Sequence, residues 1–97
     1  MGEHTSVKLI DSIYSPTEAS EVLLTLLNHK IMFLNAQLFE AGERGDGRVI
    51  HMEQRLDELK NARAEIIELI QQEINGECLF EISCQIEIRP RNTIAVA

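Results

Sequence analysis

Apolar and polar residues alternate most cleanly near the end of the chain. From 78 to 89 the even positions are Cys78, Phe80, Ile82, Cys84, Ile86 and Ile88, and the odd ones are mainly polar. Apart from Leu79, this is a strand with one dry face and one wet face. Pro90 ends it, and 90–97 reads as a tail with no clear role. A second strand is expected over 7–14, with a weaker pattern. Asp11 falls on the same parity as Val7, Leu9 and Ile13, which places a carboxylate on the inward side.

Between the strands the period lengthens to that of a helix. Ser15-Pro16-Thr17-Glu18 reads as a capping box, with Pro16 at the first helical position. The first helix should run over 16–41, with Gly42 supplying a left-handed stop. After the short loop 42–47, Asp46 can cap a second helix over 47–75, which Gly76 would end. At 1.5 Å per residue the two helices measure about 39 Å and about 43 Å. A loop this short makes them antiparallel neighbours.

The faces of these helices differ. Leu23, Leu24, Leu27, Ile31, Leu34 and Leu38 form one continuous stripe of the first helix. Ala19, Val22, Leu26 and Phe33 form a second stripe beside it, and Met32 and Phe39 lie on a third side. One helix and a two-stranded ribbon cannot cover so much apolar surface. On the second helix Val49, Met52, Leu56, Leu59, Ala62, Ile66, Ile67, Leu69, Ile70 and Ile74 are expected to face inward. Three charges interrupt the apolar arcs. Arg63 is in line with Leu56, Leu59, Ile66 and Ile70, Lys30 lies between the two stripes, and Asp11 is on the strand. Long stems can carry the cationic heads to water. Arg63 can instead pair with Asp11 or an acid of another subunit. In a third arrangement Lys30 and Arg63 hold a carboxylate or phosphate between helices.

Charge narrows the partners. Nine Lys and Arg stand against sixteen Asp and Glu, a formal net charge of −7, and none of the spans 1–14, 15–43, 44–47, 48–75 and 76–97 is net positive. A nucleic-acid binder needs clustered cations to displace counterions, so direct DNA or RNA binding is not expected. No uninterrupted apolar run approaches the roughly 18 residues of a membrane span, and the first residues lack a secretory layout. The expected setting is the cytoplasm, without a membrane. Cys78 and Cys84 are separated by about 20 Å of strand, too far for a mutual disulfide. They read as reduced, buried thiols.

Chemical motifs are few. Arg44-Gly45-Asp46 spells an integrin-binding tripeptide, but in this position it reads as an interhelical turn. Met1-Gly2 with Ser6 matches a myristoylation start without the basic residues that would support anchoring. His4, His29 and His51 are dispersed, and only Glu40 and His51 could approach one another across the loop. No zinc spacing, nucleophile constellation or phosphate-cradling glycine loop occurs. No metal, cofactor or catalytic residue is expected.

The layout Tyr14-Ser15-Pro16, then Leu23-Leu24-Thr25-Leu26-Leu27-Asn28, then Arg55-Leu56-Asp57-Glu58-Leu59-Lys60 and a final alternating strand resembles small uncharacterised bacterial proteins. Some of these travel on mobile gene cassettes. The resemblance implies no function. The residues themselves lead to a single α+β domain of order β-α-α-β, a long antiparallel helical hairpin packed on a short antiparallel sheet and completed by oligomerisation. The expected function is a non-catalytic protein-interaction module, an adaptor or inhibitor whose partner is itself and possibly another protein. Val22, Leu26, Met32, Phe33 and Phe39 are its candidate interface. The alternative is an anion-binding protein or unfamiliar enzyme with a site between protomers, using Lys30 and Arg63.

Overall fold

The computed structural model describes residues 3–44 and 48–91. The order is β1 (Thr5–Tyr14), α1 (Pro16–Arg44), α2 (Val49–Glu73) and β2 (Phe80–Ile88), an α+β fold with a helical hairpin and a two-stranded antiparallel sheet. Asp46, the expected cap of the second helix, lies outside the described residues, as do Met1, Gly2, Gly45 and the tail from Asn92.

The capping box forms as its spacing predicts. Ser15 Oγ accepts from the Glu18 N–H at 3.2 Å, and the Ser15 N–H donates to the Glu18 carboxylate at 3.0 Å. These bonds satisfy donors that the first helical turn would otherwise leave open. Three helix ends differ from expectation. α2 begins at Val49, with Arg48 rather than Asp46 in the cap position. Gly42 lies within α1, which continues to Arg44; its φ is not in the left-handed region, so it does not act as a stop. At the other end α2 closes before Gly76. Ile74 N–H donates to Gln71 O at 3.4 Å and Gly76 N–H to Glu73 O at 3.0 Å, each a bond to the third residue back. Such tightening ends a helix without a left-handed residue. The outcome is an α1 of 29 residues and an α2 of 25, reversing the expected order of length.

The register of the ribbon resolves the imperfect alternation of β1. Tyr14, Ser12 and Ile10 pair with Phe80, Ile82 and Cys84, whereas Val7 and Thr5 pair with Ile86 and Ile88. The partners run consecutively on β2, but β1 has an extra residue at Leu9 between Lys8 and Ile10. That bulge shifts the parity by one. Val7 and Ile10 therefore share the face opposite Asp11, and the expected inward carboxylate is an outward one. Asp11 is exposed, and its carboxylate lies 3.4 Å from Lys8 Nζ.

The hairpin core is small. Ile31 and Leu34 of α1 meet Leu56 and Leu59 of α2, with Leu27 and Leu38 packed beside them. Ile10, Ala19, Ala41 and Ile70 are also buried, but among the described residues no large side chain is fully so. Among the described residues the ribbon meets the hairpin through α1. The molecule is accordingly long and thin, 55 × 33 × 14 Å, with a Cα radius of gyration of 17.2 Å. A compact chain of this length would have about 13 Å.

Candidate functional site

An open groove of about 410 Å³ runs between β1 and the first turns of α1. Leu9 and Ile10 line one side, since the bulge turns two consecutive side chains toward the helix. Val22, Thr25 and Leu26 form the other side, and Tyr14 and Glu21 also line it. Two of the five expected interface residues, Val22 and Leu26, therefore belong to one concave surface. The groove was not foreseen. Its signal was the parity break at Leu9 and Ile10, which reads as a misplaced Asp11 until the register is known.

The expected interface continues along α1 beyond the groove. Phe33 is 56% exposed, Met32 69% and Phe39 59%, values that leave most of each ring or thioether in water. Leu26 is also exposed and Val22 half-buried. From Val22 to Phe39 these side chains span about 26 Å of the helix, Met32 and Phe39 lying about 100° around it from Val22, Leu26 and Phe33. Apolar side chains are also bare at the free end of the ribbon, where Val7, Ile86 and Ile88 share a face and all three are exposed. On α2 the inward assignment fails for Ile67, Leu69 and Ile74, which are exposed because the hairpin covers only one side of that helix.

Averaged over its length, α1 is more apolar than its short uninterrupted runs indicate. Residues 16–42 form the one helix, among those described, long and apolar enough to cross a membrane by length and composition. Its apolar window is only 11% buried in the monomer. The same composition suits a helix enclosed between proteins, and Lys30 stands midway along it.

The structure sends the two candidate anion-binding residues in different directions. Arg63 is half-buried, and its guanidinium donates to Asn28 Oδ1 at 2.6 Å across the hairpin. Lys30 is exposed and reaches over the Phe33 ring, with Nζ 5.4 Å from the centroid. Asn28 and Lys30 are two residues apart, which places them about 200° apart around a helix. Arg63 is thus held on the side of α1 away from Lys30, and its partner is neither Asp11 nor an acid.

Titratable groups are scattered. His4 Nε2 lies 3.3 Å from Glu87, while His29 and His51 are exposed. Among the described residues no three His, Cys, Asp or Glu form a group that could hold a metal. Cys78 and Cys84 are free and half-buried. The Ser15 N–H, and then the Ser15 hydroxyl, hold the Glu18 carboxyl below its ordinary pKa. This is the electrostatics of a helix cap rather than of a reacting site. No family model, curated protein or solved structure matches this chain.

Proposed function

We propose that this chain is a non-catalytic, homo-oligomeric protein-interaction module, working in the cytoplasm as an adaptor or inhibitor. The observation that carries this reading is the exposure of Leu26, Phe33, Met32 and Phe39 on α1 beside and beyond the β1–α1 groove. Monomers rarely leave contiguous apolar patches of more than a few hundred Å² in water. Domains usually bury their apolar faces between packed layers, and here a second copy or another protein can complete the packing.

Sedimentation equilibrium at micromolar concentration tests the self-association. The expected particle has at least twice the 11.0 kDa mass of the chain. A stable species of 11.0 kDa at that concentration would overturn it. Association with a further protein is tested by co-purification from the native host, comparing the wild type with Phe33→Glu. A charge at a desolvated contact is costly, so a partner seated on α1 should be lost from the variant.

A further inference from the structure

The two edges of the ribbon are not alike. β1 carries the Leu9 bulge together with Lys8 and Asp11, and the groove beside it brings α1 close. Bulges and charged side chains of this kind deter the addition of another strand. β2 runs for nine residues as Phe-Glu-Ile-Ser-Cys-Gln-Ile-Glu-Ile, without proline or lysine, and the irregularity in the pairing is on β1. Its outer row of backbone donors and acceptors is a template for one more strand. A two-stranded ribbon is also marginal by itself, and a wider sheet is what it lacks.

We propose that β2 pairs antiparallel with β2 of a second copy, giving a four-stranded sheet with the β2 strands at its centre and a twofold axis at Gln85. This rests on the homo-oligomeric reading above; it places the join between copies at the ribbon and leaves the apolar side chains of α1 for a further protein. The axis must pass through a residue, since a one-residue slip would turn the dry faces of the two ribbons to opposite sides. Three centres give long overlaps, and charge selects among them. An axis at Cys84 sets Glu81 opposite Glu87 of the partner subunit, twice by symmetry, and like charges directly opposed are destabilising. An axis at Ser83 sets Glu87 opposite Leu79 of the partner subunit, which wastes the pairing at both ends.

An axis at Gln85 sets Glu81 opposite Arg89 of the partner subunit, again twice, and Ser83 opposite Glu87 of the partner subunit. Opposite charges in this position support a sheet. The Arg89 head already leans over the wet face, 3.3 Å from Glu87 of its own strand. On the dry face this register sets Ile82 opposite Ile88 of the partner subunit and Cys84 opposite Ile86 of the partner subunit. The bare ends of both ribbons, where Ile88 is 53% exposed, then lie beside half-buried residues of the other copy.

Cysteine trapping tests this register in the full chain, with Cys78→Ser and Cys84→Ala removing the native thiols. Gln85→Cys should form an intersubunit disulfide under mild oxidation, because directly opposed residues have Cα atoms about 4.5–5.5 Å apart, within disulfide reach. Ser83→Cys should stay unlinked, as the two copies of that residue would be about 13 Å apart. A charge exchange provides a second readout that needs no cysteine. Glu81→Arg should weaken self-association by about tenfold, and adding Arg89→Glu should restore it. A dimer that persists while Gln85→Cys fails to link, or that links through Ser83→Cys, overturns the pairing and leaves the homo-oligomeric reading standing. A wild-type chain that sediments as a monomer removes both.

Discussion

At the scale of single residues, the start of α1 is where sequence and energetics agree most closely. Ser15 and Glu18 exchange two bonds over a spacing of three, and both lie in the first turn, where backbone donors have no helical partner. Ser15→Ala should cost about 1 kcal/mol in urea unfolding, the usual effect of losing such a cap. The pH dependence has a definite sign. The folded state holds the Glu18 carboxyl below its ordinary pKa, so it stabilises the protein above the unfolded pKa and is lost as pH falls through the folded one. Ser15→Ala keeps the backbone N–H that is the larger cause of the shift, so titration by NMR should find the Glu18 midpoint only partly raised in that variant; a wild-type midpoint at the ordinary glutamate value would refute the reciprocal bond. Arg63 shows the limit of reading one residue alone. Its place in an apolar stripe was legible, but its partner across the hairpin was not, because Asn28 carries no charge to suggest a pair. Both Asn28 and the guanidinium can turn to water, so Arg63→Leu should change unfolding stability by less than about 1 kcal/mol. A loss of several kcal/mol would show that the bond to Asn28 anchors the hairpin.

At the scale of elements, periodicity located all four, and local geometry decided where each begins and ends. β2 was readable because polar and apolar residues alternate along its whole length, although its apolar face is exposed at Ile86 and Ile88. β1 was readable only in part, since a bulge has no residue signature beyond the break in parity it produces. Without the partner register, the same break looks like a misplaced Asp11. Gly42 was misread for a different reason: glycine suits a left-handed stop and is also tolerated inside a helix at some entropic cost. The two cases make opposite predictions. Gly42 is helical and exposed, and among the described residues nothing beyond its chain neighbours and its own helix backbone comes within 4 Å of where a Cβ would sit. Gly42→Ala should therefore stabilise the protein by about 0.5–1 kcal/mol, chiefly by restricting the unfolded chain. Destabilisation in the same assay would return Gly42 to a left-handed cap. The helix cores behave differently. Leu56 is nearly buried against Ile31 and Leu34, so Leu56→Ala should cost about 2–5 kcal/mol through lost burial and a residual cavity.

At the scale of the whole molecule, the surplus of apolar surface was legible from the helix faces, while its distribution was not. Ile67, Leu69 and Ile74 were assigned inward because a helical pattern shows how wide an apolar arc is, without showing how many neighbours cover it. The monomer offers few. Its accessible surface is 7754 Å², against about 5,600 Å² for a compact folded chain of similar mass. A small core in so extended a shape leaves little stability to a single chain, because ordering nearly a hundred residues costs as much as burial supplies. If association completes the fold, unfolding and dissociation are one process, and stability must depend on protein concentration. Raising the concentration a hundredfold should then add about 2.7 kcal/mol to the apparent unfolding free energy of a dimer. With a urea slope of about 1–3 kcal/mol per molar, the midpoint should move up by about 1–3 M. Circular dichroism at 1 and 100 µM, values of order chosen to span a typical dissociation range, can resolve that shift. Coincident midpoints would mean that the hairpin and ribbon are stable as a monomer, and that the apolar face of α1 is held open for a different protein.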